Sequence, residues 1–155
     1  MEREAVLAHV RDAIETSEFL AALAAPRRAG RPLTPAEVAA LEDRGNLCAD
    51  WGKVTVGEGF DPGRVQDSTF QGAVFLGAFR GAVEVGGVFL ETGVYSSRVV
   101  DAEIRDGAFV SDVRLLGNCS VGEGAVIFDC GQVVCRMGAS FGVGQELTLA
   151  VETGG

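Results

Sequence analysis

Lysine and histidine are almost missing from this chain of 155 residues: Lys53 is the only lysine and His9 the only histidine. The shortage of lysine leaves arginine as nearly all of the positive charge, against a formal net charge of −9. An acidic surface repels phosphate backbones and anionic lipid, so nucleic-acid and membrane partners are disfavoured. The shortage of histidine removes the usual general base of acyl transfer, because imidazole is the side chain that titrates near neutral pH. Aromatic residues make up only 7% of the chain. No apolar run approaches the roughly 20 residues that a membrane-spanning helix needs. No basic segment followed by an apolar stretch opens the chain, so a soluble, cytoplasmic protein is expected. The four cysteines, Cys48, Cys119, Cys130 and Cys135, include no Cys-x-x-Cys pair, so neither a zinc knuckle nor a thioredoxin-type site is indicated.

What is abundant is glycine, with 22 residues, together with small and β-branched side chains in the second half. Such a composition suits short strands joined by tight corners. Residues 1 to about 25 carry Val6, Val10, Ala13, Ile14, Leu20 and Leu23 at three- and four-residue steps, a helical spacing. Pro26, Gly30 and Pro32 interrupt it. Thr34, Pro35 and Glu37 then spell a capping box, and Gly45 a C-terminal stop, so a second helix is expected over about 35–44. Residues 1–50 are read as a helical region and 51–155 as a β domain.

Beyond Trp51 the apolar period becomes six. Phe70, Leu76, Ala82, Val88 and Val94 are six apart; Val99, Ile104, Val110, Leu115, Val121, Ile127 and Val133 follow at five or six. The residue two places earlier is usually small, as at Ser68, Ala102, Ala108 and Cys119. A sustained period of six fits neither a helix nor a plain two-residue alternation. It suits short strands on successive walls of a coil that bury their faces only against neighbouring turns.

The pairs Leu76-Gly77 and Val121-Gly122 resemble the hexapeptide-repeat, left-handed β-helix proteins, many of which are trimeric acyltransferases or sugar-nucleotide enzymes. A second resemblance covers residues 32–155. It rests on Pro32 to Glu37, Ala49-Asp50-Trp51, Phe70-Gln71-Gly72, Gly93-Val94-Tyr95, Gly117-Asn118 and Glu152-Thr153-Gly154-Gly155. These segments are similar to an uncharacterised bacterial family of longer β-helix proteins, loosely described as related to UDP-N-acetylglucosamine pyrophosphorylase. The fold implied is mainly β: a left-handed parallel β-helix with two N-terminal α-helices.

Chemistry is harder to find. His9 lies outside the repeats. The Gly-x-Gly pairs at 57–59, 122–124 and 142–144 place glutamate or valine where a phosphate would want a cation, so corner turns are expected there. Cys119 falls at an inward phase and Cys130 and Cys135 at outward ones. Asp101, Glu103, Asp106 and Asp112 read as a solvated face rather than a metal site, and no metal or cofactor is expected. Trp51, Tyr95, Asn118, Glu152 and Thr153 are the candidate lining of a ligand groove, with Asn118 alternatively part of a buried polar ladder. The expected function is a scaffold or oligomerisation module without a complete active site, partnered by further copies or a flanking β-helix continuation. The alternative is an acyltransferase-like or sugar-nucleotide-linked transferase, taking a sugar nucleotide or acyl donor at an interface.

Overall fold

The computed structural model describes residues 29–135. In chain order the elements are β1 (Arg31–Pro32), α1 (Pro35–Asp43), β2 (Leu47–Cys48), β3 (Val54–Val56), β4 (Val65–Gln66), β5 (Thr69–Gln71) and β6 (Val74–Leu76). Then come β7 (Ala82–Val85), β8 (Val88–Glu91), β9 (Gly93–Tyr95), β10 (Arg98–Val100) and β11 (Glu103–Ile104). The last are β12 (Phe109–Ser111), β13 (Leu115–Gly117), β14 (Ser120–Val121), β15 (Val126–Phe128) and β16 (Gln132–Val134).

Three sheets hold most of these strands. Sheet 1 has the order β1-β3-β6-β11-β14, sheet 2 β2-β5-β10-β13-β16, and sheet 3 β4-β9-β12-β15. The pairings are parallel except that β1 runs antiparallel to β3. Between β2 and β16 the chain visits sheets 2, 1 and 3 in turn. It departs from that order for β7 and β8, which pair antiparallel only with each other.

Register aligns the core. Phe70, Val99, Leu116 and Val133 face one another along sheet 2. Val65, Val94, Val110 and Ile127 do so along sheet 3, and Leu76, Ile104 and Val121 along sheet 1. Most of these side chains are fully buried in one cluster. Each contributes roughly 1.5–3 kcal/mol relative to an exposed position.

Corners between sheets 3 and 2 turn through Asp67, Ser96, Asp112 and Asp129, all at φ between 45° and 55°. Aspartate tolerates this left-handed conformation better than most residues because its short polar side chain bonds locally. Inside the same corners runs a polar ladder. Ser68 N donates to Asn46 Oδ1 (3.0 Å), Ser97 N to Ser68 Oγ (3.2 Å), and Val113 N to Ser97 Oγ (3.1 Å). Buried amides that would otherwise be orphaned are thereby satisfied.

α1 begins where the capping box places it. Glu37 N donates to Thr34 Oγ1 (3.2 Å) and Thr34 N to Glu37 Oε2 (2.9 Å). Gly45 follows the helix at φ 78°. The other expected helix, over residues 1–25, lies outside the described residues, as does His9.

The expectation of a left-handed, hexapeptide-repeat β-helix with two N-terminal helices is corrected. The described chain is mainly β, built from parallel and mixed sheets with one α-helix. The six-residue register fails in three places. Ala82 and Val88, expected inside, are exposed on the β7–β8 hairpin, because Gly86-Gly87 adopt φ 58° and 82° and close a tight turn. In β13 the fully buried residue is Leu116, not Leu115. Cys130 and Cys135, expected at outward phases, are half-buried and pack against the core.

Candidate functional site

The described members of the sequence-derived groove lie apart. Trp51 sits in a 3-10 turn (Trp51–Lys53) between sheets 2 and 1, after β2. Its indole Nε1 donates to Glu42 Oε1 (2.9 Å) and its ring packs 6.1 Å from that of Phe70. Asn118 occupies the same kind of corner after β13, with β5 and β10 between β13 and β2. It is exposed at φ 50°, and its Nδ2 donates to the Cys135 carbonyl (2.8 Å). The buried polar ladder considered for Asn118 is formed instead by Asn46, Ser68 and Ser97. Tyr95 is on sheet 3, where its hydroxyl donates to the Thr92 carbonyl (3.3 Å) and burial raises its pKa. Glu152 and Thr153 lie outside the described residues.

The acidic residues do not converge either. Asp101 and Asp112 are exposed at different corners, while Glu103 on sheet 1 is buried, accepting from Arg105 Nε (2.9 Å) and Ser120 Oγ (3.3 Å). Asp106 Oδ1 accepts from Ala78 N (2.8 Å). Among the described residues no group of three or more His, Cys, Asp or Glu side chains is arranged to hold a metal ion.

Two depressions open at the corners between sheets 1 and 3. One, of about 390 Å³, is lined by Glu58, Arg80, Asp106 and Glu123 with the glycines beside them. The other, of about 620 Å³, shares Glu58 and Asp106 and adds Arg31, Val56 and Phe75. Gly59 is held at φ 76°, a left-handed conformation that strains any other residue, and the Arg80 guanidinium lies against it, so a side chain there would have to displace the arginine. Arg31 is already engaged by Glu37 (2.7 Å), which holds the Glu37 carboxyl down at about 2. This mixed-charge lining suits polar contacts; among the described residues it brings no serine, cysteine or histidine to act as a nucleophile.

A different surface is less satisfied. Among the described residues β14, β15 and β16 are the last strands of their sheets. The inward residues of β15 and β16, Ile127 and Val133, are only half-buried, whereas Val110 and Leu116, one strand back, are wholly buried, and Val121 on β14 is buried as well. Phe128 is 51% exposed and Val134 53%. Phe128 also ends a row of rings on sheet 3: its centroid lies 6.3 Å from Phe109, itself 5.9 Å from Tyr95. Unpaired strand edges beside apolar side chains are a template for pairing with another strand. Sequence spacing locates Ile127 and Val133 as inward positions but does not distinguish them from the other inward residues.

Residues 30–155 match the family described as a domain of unknown function (DUF4954). The chain belongs to this family. A relative within reach of comparison is an uncharacterized protein of Treponema pallidum (strain Nichols), 25% identical over 122 residues. That alignment takes in 78% of this chain and 17% of the relative, so the chain spans about a sixth of the length of the curated relative it matches. No solved structure matches the chain. The DUF4954 chain has no helix among its described residues long and apolar enough to cross a membrane.

Proposed function

We propose that this DUF4954 chain is a scaffold module that associates through the end of its sheets at β15 and β16, the last strands of sheets 3 and 2 among the described residues. The observation that carries this reading is the incomplete burial of Ile127 and Val133, beside exposed Phe128 and Val134. Burying such apolar area is favourable at about 25 cal/mol per Å², and pairing with a further strand would add backbone hydrogen bonds. A flanking segment of a longer chain would serve as such a partner. The partner proposed here, and the one the test reads, is a second copy of the chain.

Sedimentation velocity of the 155-residue chain over a rising concentration series tests the reading. Self-association is expected, and the double variant Phe128→Asp/Val134→Asp should sediment as a monomer while keeping a cooperative thermal transition. A wild-type chain that remains monomeric at the highest concentration, or a variant that associates as before, overturns it.

A further inference from the structure

Three of the four cysteines gather at the far end of the fold, and two of them meet across a pair of strands. Cys119 follows β13 and is nearly buried; Cys135 follows β16 and packs against the same core. Their backbones are tied at this point: Cys135 N donates to the Gly117 carbonyl (3.1 Å), and Asn118 Nδ2 to the Cys135 carbonyl (2.8 Å). Cys119 Sγ reaches across the strands, 2.8 Å from Gly117 O and 3.2 Å from Val133 O. Burial first, and then a hydrogen bond that the Cys119 thiol donates to the neighbouring Cys135 sulfur, push the Cys119 thiol up to about 11.

We propose that Cys119 and Cys135 form a dithiol site that a small-molecule disulfide oxidises to an intrachain disulfide, stapling β16 to β13. Neighbouring strands lie about 4.8 Å apart and a residue advances about 3.3 Å, so an offset of one residue puts the Cα atoms roughly 6 Å apart. That falls within the roughly 4.4–6.8 Å that a disulfide spans. Cys135, the more accessible thiol, reacts first. Its thiolate attacks one sulfur of the reagent, forming a mixed disulfide and releasing one reagent thiolate. Cys119 then loses its proton to water and attacks the Cys135 sulfur, expelling the second thiolate. Two protein thiols are oxidised by two electrons, and one reagent disulfide is reduced to two thiols. Cys130 sits at a different corner, its Sγ directed to the Phe128 carbonyl (3.4 Å), and takes no part. This site does not depend on the association proposed above.

The test uses the full folded chain and oxidised glutathione. Cleavage after Glu123 separates Cys119 from Cys130 and Cys135, so a crosslink is read as two peptides that remain joined without reductant. Joined peptides are expected in wild type and in Cys130→Ser, but not in Cys135→Ser. Oxidation should also raise the melting temperature of wild type by about 5 °C or more, with no rise in Cys135→Ser. A Cys119–Cys130 crosslink, a glutathione adduct persisting on Cys135, or two thiols that stay free under oxidation would each overturn the proposal. Because Cys130→Ser retains both reacting thiols, poor folding of Cys135→Ser would not obscure the result.

Discussion

The two ends of the sheets are finished in opposite ways. At the first end, α1 lays Leu41 into the core with no exposed surface, and Asn46 fixes the helix to the strands. Asn46 Nδ2 donates to the carbonyls of Leu41 (2.8 Å) and Val65 (2.9 Å), while its Oδ1 begins the polar ladder. At the other end, within the described residues, Ile127 and Val133 keep part of their surface and no helix lies over them. The lesson is one of cooperativity between neighbours. In sheets 2 and 3 the inward residue is wholly buried where a strand or α1 lies on each side and only half-buried at β15 and β16, whereas Val121 on β14 is already buried.

That contrast can be broken or sharpened by substitution. The largest effect belongs in the middle: Ile104→Asp puts an unpaired charge where nothing is exposed and should abolish the cooperative unfolding transition. The same change at Ile127 should leave a folded chain with a lower melting temperature, since the carboxylate can reach water. Equal loss at both sites, followed by circular dichroism, would erase the distinction between centre and end.

Next is the closed end itself. Leu41→Ala should cost about 2–5 kcal/mol in urea unfolding, because it removes a wholly buried side chain and leaves a cavity. Val133→Ala should cost about 1 kcal/mol or less, as neighbours there are incomplete. Thr34→Ala is smaller than Leu41→Ala, about 1 kcal/mol from loss of the helix N-cap, and should appear as faster amide exchange over residues 35–43.

The smallest effect is on pH dependence. The Arg31 guanidinium holds the Glu37 carboxyl down from 4.5 to about 2. A carboxyl whose folded pKa is depressed adds stability above its unfolded value and loses it as pH falls through the folded one. The closed end should therefore weaken as pH drops from 4.5 toward 2, and Glu37→Gln should flatten that part of the curve. Because the pair is at the surface the change is small, and salt should reduce it further.

Much of the closed end was legible in the residue order. Thr34, Pro35, Glu37 and Gly45 act through backbone hydrogen bonds within a few residues, so their signal needs no partner from elsewhere. The hairpin strands, Ala-Val-Glu-Val and Val-Phe-Leu-Glu, also place apolar residues at six-residue steps, so spacing does not separate them from the sheets. Gly86-Gly87 was the stronger signal, and Phe89, 74% exposed, shows which side of the decision the chain took. The ladder of Asn46, Ser68 and Ser97 went unseen because its partners are 16 to 29 residues apart. Trp51, Tyr95 and Asn118 were grouped by resemblance, and sequence proximity to family segments carries no information on which corner or sheet a side chain joins.

By itself, then, the amino-acid sequence determined a β-rich chain, the start and stop of α1 and most of the inward positions, because capping and side-chain alternation act locally. The tertiary structure alone decided that β7 and β8 leave the sheets, that Leu116 rather than Leu115 turns inward, and that Cys119 meets Cys135. Those outcomes depend on which strands become neighbours, and burial and hydrogen bonding between distant segments exist only once they do.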